Sequence, residues 1–349
     1  MEGSRRWPER LAICTLRSLR RRSLLKRAIR NVLSSDAARE TYAQIVDGLP
    51  LARVADDSYG RPECVLHPLH EEHKELCAGV ADEADRLLTE IDIDELLMPA
   101  DALRAFGSTT ARSPRFPALL IELVARAVHE VAAQIYKKDT NRHKDDALGR
   151  FRPPEAQARG YPKTFPETVF CHEWYDHYDQ YPEGVADCVG YWAEGRILGG
   201  VIVFDRRDPA KVKDASPNAI YTHPYRWRIT YRICRLLDSQ VSELVEFLLS
   251  EPEESGTRCP LPVLPTQENR DRIDPEADIH TTGIYRDPWE RRLRPLREGD
   301  RRTGCIVNTF DFLTDKGWSA AQRRRFSRLA PIGAGIPVSP ELAAAQEGD

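Results

Sequence analysis

Three of the nine histidines lie within seven residues, in the run Cys64-x-x-His67-x-x-His70-x-x-His73, and Cys77 follows. Imidazole nitrogens and thiolates are the donors that zinc and other transition metals take three or four at a time. A helix opening at Pro68, a favourable first-turn residue, would place His70, His73 and Cys77 on one face at i, i+3 and i+7. His67, His70, His73 and Cys77 are therefore the candidate metal ligands. Two features compete with this reading. His73 also falls on the apolar stripe of Leu69 and Leu76, and Glu71, Glu72 and Glu75 have the character of an exposed helix start. No familiar zinc-site spacing matches.

A second cluster is His172-Glu173-Trp174-Tyr175-Asp176-His177-Tyr178-Asp179. It is dense in proton-transfer groups and follows an expected strand, where sites are usually built. On a strand, His172, Trp174 and Asp176 would share a face, and a carboxylate beside an imidazole is how a general base is oriented. His172, Asp176 and His177 are the candidate acid/base groups. The competing reading is a polar, aromatic surface loop. A third cluster is Arg226, Arg228 and Arg232, which alternate with Tyr225, Trp227, Ile229, Tyr231 and Ile233. Alternation is the strand period, so these residues predict one apolar and one basic face. The basic face is the candidate anion-binding surface, against a default of a solvated strand face.

These residues need elements to hold them. Apolar spacing from Leu11 to Leu33 predicts a basic amphipathic helix, with ten basic and two acidic residues in positions 1–30. Further helices are expected over Asp36 to Val46, Pro68 to about Thr89, and Pro117 to Lys137, the last apolar enough to be central. Residues 139–167 are polar, hold four prolines and have no periodicity, as a linker does. Beyond them, Thr168 to Trp174, Gly200 to Asp205, Asn218 to Thr222 and Tyr225 to Ile233 read as strands. Val185 to Ile197 fits a helix or a hairpin turning at Glu194-Gly195. Leu237 to Leu248 has helical spacing, and Ser319 to Gln322 has the pattern of a capping box.

The fold class expected is α+β, a helical N-terminal region followed by a mixed or antiparallel sheet with packed helices. The organisation expected is a helical region over 1–138, a linker over 139–167, an α+β domain over 168–330 and a disordered tail over 331–349.

Composition narrows the function. The chain has 349 residues, 41% apolar and 30% charged, with a mean hydropathy of −0.53. That excludes a membrane channel and wholesale disorder, and no apolar run reaches the length of a membrane span. Net charge is −4, so nucleic acid is not an expected partner. The mild total hides a net +8 in residues 1–30 and a net −8 in residues 69–105, which suggests that the two regions face each other. Arg outnumbers Lys by 42 to 9. Eight dispersed cysteines without a C-x-x-C fit reduced thiols and a cytoplasmic or nuclear protein. The basic N-terminus also fits a mitochondrial presequence. Nucleotide, dinucleotide and α/β-hydrolase motifs are missing, so no cofactor is assigned.

Tyr181 to Arg206 (YPEGVADCVGYWAEGRILGGVIVFDR) and Ile284 to Arg292 (IYRDPWERR) resemble, as a pair, segments of a family of uncharacterised proteins encoded in filamentous-fungal genomes, often in several copies. The resemblance covers about residues 165–310. It implies an intracellular eukaryotic protein and carries over no activity, cofactor or catalytic residue. The function expected is a soluble intracellular protein that binds a protein partner or a small anionic ligand. An enzyme using the 172–179 cluster and a metal-binding protein using the 64–77 cluster are the alternatives.

Overall fold

The computed structural model describes residues 7–58, 67–152, 167–226, 229–251, 258–275 and 277–291, with positions 316, 319 and 320. All the elements below lie in one compact unit, residues 1–304.

The first element among the described residues is a short strand, not a helix. Arg10–Ala12 (β1) pairs antiparallel with Leu97–Pro99 (β2). The basic helix is accordingly shorter than its apolar spacing predicts, Leu19–Leu33 (α1). Ser18 ends the extended segment, and its Oγ accepts from the Arg21 backbone N–H, which satisfies one of the first-turn donors. Leu25, Ala28, Ile29 and Val32 recur at helical spacing and are buried. The polar side of α1 meets the acidic region as its charge suggests. Arg22 Nε donates to Asp94 Oδ1 at 2.7 Å, and Lys26 bonds the same carboxylate. The two cations hold Asp94 well below the usual carboxylate range.

Asp36–Asp47 (α2) follows, capped by Ser35 and stopped by Gly48 at φ 101°, a left-handed conformation that suits glycine. Ala52–Asp56 (α3) is short. The helix expected over 68–89 is broken into Leu69–Glu72 (α4) and Val80–Glu90 (α5). Gly79, at φ 79°, lies at the break, and residues 73–78 are drawn out of helical geometry by contacts with the end of α2. Ala100–Ser108 (α6) leads to Phe116–Lys137 (α7). This helix has Pro117 in its first turn, and Leu120, Leu123, Ala127 and Val131 are each fully buried at 0% exposure.

Val185–Ile197 is a helix (α8) with both Glu194 and Gly195 inside it. The sheet comprises Val201–Asp205 (β3), Ile220–His223 (β4), Ile233–Arg235 (β5), Arg272–Ile273 (β6) and Ile284–Tyr285 (β7). Its order is β6-β5-β4-β3-β7, antiparallel throughout. Asp238–Leu249 (α9) and Ile279–Thr282 (α10) complete the unit. The fold is thus α+β with the helices first.

Two expected strands do not form. Thr168 to Trp174 contains no strand, and its end closes a tight turn in which Tyr175 N–H donates to the His172 carbonyl at 2.8 Å. Among the described residues of the alternating run, 225, 226 and 229–232 are in no strand. β4 stops at His223, Pro224 has no N–H for a ladder, and pairing resumes only at Ile233.

The halves share a core. Leu120 and Val124 of α7, Val189 and Trp192 of α8, and Ile202 and Phe204 of β3 belong to one buried cluster. The boundary expected at 139–167 is therefore not a division of the core. Residues 139–152 pack on the first half, where Arg142 N–H donates to the Asp47 carbonyl at 2.9 Å. Residues 153–166 and the expected tail, 331–349, lie outside the described residues. Among the described residues no helix is long and apolar enough to cross a membrane.

Candidate functional site

The structure splits the expected metal set. His67 turns away, its ring edge-on to Phe151 and its Nδ1 accepting from the Leu69 N–H. His70 Nδ1 lies 2.6 Å from Asp56 Oδ1. His73 and Cys77 converge instead on the C-terminal end of α2. Asp47 Oδ2 lies 3.1 Å from His73 Nε2 and accepts from the Cys77 backbone N–H at 3.1 Å. His143 completes the group, with Nε2 at 3.5 Å from Cys77 Sγ and 3.7 Å from Asp47 Oδ1. Burial and the nearby Asp47 carboxylate push the Cys77 thiol up to about 11. Three donor atoms, on Asp47, Cys77 and His143, lie within 4.8 Å of one another.

The sequence alone missed Asp47 and His143. Asp47 reads as the last residue of a helix, and His143 lies in the polar stretch taken for a linker. The signal lies in backbone geometry. A Cβ on Gly48 would lie 1.8 Å from Asn141 Oδ1, so only glycine lets the 140–143 segment come this close to the end of α2.

His172 does not pair with Asp176 in an acid/base arrangement. It is fully buried, its Nε2 donates to the His223 carbonyl at 3.2 Å, and its Nδ1 accepts from the Trp174 N–H at 3.3 Å. Its ring stacks on Tyr225 with centroids 4.5 Å apart. Both nitrogens thus serve the main chain. Asp176 is beside His177, 3.6 Å from its Nε2. The reason is local: a turn, not a strand, follows His172, so alternate residues do not share a face.

Of the expected arginine surface only Arg226 and Arg232 are described, and Arg226 is already paired within the protein. Arg226 donates to Asp57 Oδ2 at 3.1 Å and to the Arg196 carbonyl at 3.0 Å. Arg232 stacks on Tyr231 at 5.7 Å, and Arg228 lies outside the described residues.

A different set of charges does converge. Glu194 on α8 is fully buried and accepts two parallel bonds from Arg286, at 2.7 and 2.8 Å. On α7, His129 sits between carboxylates, with Nδ1 2.9 Å from Glu194 and Nε2 2.9 Å from Asp187. Arg126 donates to both oxygens of Asp287, at 3.1 and 3.0 Å. Burial would lower the pKa of His129, but Asp187 and Glu194 outweigh it and raise the value. Burial would likewise raise Glu194, and Arg286 with His129 holds it below its ordinary value.

Arg126, His129, Asp187 and Arg286 line one recess of about 80 Å³, walled by Trp7 and Trp289. The two indoles meet edge to face with centroids 5.2 Å apart. Nε of Arg126 and Nε of Arg286 are buried without a hydrogen-bond partner. The sequence held a sign of this site. Glu122, Arg126, His129 and Glu130 recur at helical spacing in the most apolar helix, a pattern that apolar periodicity alone hides. The segments 181–206 and 284–292, singled out as a pair above, meet here through the Glu194–Arg286 bond.

No protein-family model matches the chain, and comparison with curated proteins and with solved structures returns no match.

Proposed function

We propose that this protein binds a compact carboxylate-bearing ligand in the recess between α7, α8 and the 284–291 segment. The observation that carries this reading is the convergence of two guanidinium groups, Arg126 and Arg286, on the lining of one aromatic-walled recess. Guanidinium groups favour carboxylate oxygens through charge-assisted hydrogen bonds. Trp7, Trp289 and the neighbouring prolines suit an apolar or aromatic ligand body.

Binding is favoured over turnover. A general base needs a ring nitrogen free to reach substrate, and each nitrogen of His129 already has a carboxylate partner. A protein can supply the same chemistry through a chain terminus or an acidic side chain. Trp7 and Leu97, 37% and 40% exposed, line the recess as such a partner would require.

The test is a thermal-shift and indole-fluorescence titration with acetate, benzoate, phenylacetate and a short peptide ending in phenylalanine, as free acid and as amide. A carboxylate at one hundred times its Kd would stabilise the protein by about 2.7 kcal/mol. The acid should act where the amide does not, and Trp7→Ala should weaken the response. Absence of any shift or fluorescence change across the panel would overturn the reading.

A further inference from the structure

We infer that Asp47, Cys77 and His143 form a binding site for one zinc-class divalent ion, distinct from the recess. Three separate segments deliver its donors: the C-terminal end of α2, the loop before α5 and the segment after α7. Tetrahedral zinc bound to oxygen, nitrogen and sulfur at ordinary bond lengths sets its donors about 3.3–3.7 Å apart. From His143 Nε2, Cys77 Sγ at 3.5 Å matches the nitrogen–sulfur spacing of about 3.6 Å, and Asp47 Oδ1 at 3.7 Å lies a few tenths of an ångström beyond the nitrogen–oxygen spacing of about 3.4 Å.

The surroundings aim these atoms inward. Asp146 Oδ2 lies 2.6 Å from His143 Nδ1 and accepts a hydrogen bond from its N–H, which leaves the Nε2 lone pair directed at Cys77 and Asp47. A carboxylate on the far nitrogen is the usual support of a metal-bound histidine. Asp146 is itself held, because its Oδ1 accepts from the Gly149 N–H at 2.9 Å. Asp47 Oδ2 is occupied by His73 and the Cys77 N–H, whereas Oδ1 is fully buried and accepts no hydrogen bond.

That orphaned oxygen separates a metal site from a plain hydrogen-bond cluster. Without an ion, the single Cys77 S–H faces two acceptors, His143 Nε2 and the Asp47 carboxylate, and can serve only one of them, which leaves the other buried acceptor bare, as native proteins rarely tolerate. A divalent ion satisfies all three donors, and its charge cancels one thiolate and one carboxylate. The thiolate and imidazole favour zinc over magnesium or calcium, which prefer oxygen alone. His67 and His70 have no part in it. His73 acts through Asp47 as a positioning residue.

The full chain, stripped with a chelator, would be titrated with cobalt(II) by absorbance and with zinc(II) by calorimetry. One ion per chain is expected, with a thiolate-to-cobalt charge-transfer band in the near ultraviolet. Cys77→Ser should abolish the band, and His143→Ala should remove saturable binding. Asp146→Asn should weaken zinc about 10- to 100-fold through the histidine it orients. His67→Ala and His70→Ala should keep stoichiometry and spectrum. Far-ultraviolet circular dichroism checks the folding of each variant, and the wild-type spectrum stands whatever the variants do. Absence of a one-to-one complex, or an unchanged band in Cys77→Ser, would overturn the inference.

Discussion

Replacing Glu194 by alanine isolates the physics of the buried network. Arg286 and Glu194 have side-chain exposures of 2% and 0%, so neither charge is reached by water. The deletion removes both acceptors of Arg286 and one of the two carboxylates on His129. Asp287, 3.6 Å from Arg286 Nε, is too poorly placed to substitute. Breaking a buried pair by removing one partner typically costs about 3–5 kcal/mol, most of it from the uncompensated charge left behind. With a urea slope of about 3 kcal/mol/M or more for a chain of this size, the midpoint should fall by about 1 M. The companion Glu194→Met, Arg286→Met double substitution removes both charges and should recover most of the loss. Equilibrium urea unfolding followed by tryptophan fluorescence measures all three proteins. A single substitution that costs under about 1 kcal/mol, or a double one no better than the single, would refute the claim that desolvation dominates here.

Three further outcomes follow from the same geometry. Leu120→Ala, in the middle of α7 at 0% exposure, should cost about 2–5 kcal/mol in the same unfolding assay. Gly48→Ala must adopt φ 101° and meet Asn141, so it should lower Tm and also weaken zinc binding, whereas Gly184→Ala, with nothing within 4 Å of its Cβ, should show backbone strain alone. Two contributions to stability are lost with acid. Burial, with His172 and Arg291 adding to it, pushes His223 well below its ordinary value, so its contribution is complete above about pH 6.5 and is lost below that as the unfolded chain takes up the proton. Glu122, Glu194 and Asp287 are lowered by their arginines against burial, so theirs is lost as pH drops below about 4.5 toward their folded values. His129 and His73, raised by their carboxylates, and Glu290, raised by burial, act in the opposite sense, so the decisive span is the acid one: unfolding free energy should fall from about pH 4.5 to pH 3, where the lowered carboxylates outnumber Glu290, and a rise across that span would refute their assignment.

Apolar spacing conveyed the large elements well because packing decides them. Pro117 to Lys137 is helical almost to the residue, and Gly200 to Asp205 contains β3. Spacing failed where one side chain redirected the backbone. His73 and Cys77 leave the helix because Asp47 draws them, and the 172–175 turn forms because the main chain takes both nitrogens of His172. The arginine alternation at 226–232 is genuine in the sequence, but Pro224 interrupts the pairing that would have made it a strand. The sites were partly legible. Cys77 was identified with His73 from local density alone, whereas Asp47 and His143 are 30 and 66 residues from Cys77. His129, Glu194 and Arg286 come from three segments that only the folded core brings together. Charges spaced along an apolar helix announce a buried network, but the sequence does not say which distant cation or carboxylate answers each one.

The bond between Glu194 and Arg286 also sets a timetable. Glu194 leaves the ribosome 92 residues before its partner. Until the 284–291 segment is made, α8 carries a carboxylate meant for the interior beside a half-finished sheet whose β3 edge has no β7. The helical half can collapse early on its local contacts, with His129 as the partner α7 itself offers Glu194, and the two bonds from Arg286 are added later. The α7–α8 seam therefore receives its second cation only after residue 286 has been made. A nascent chain halted before β7 would leave Glu194 without its two arginine bonds and β3 without its β7 neighbour.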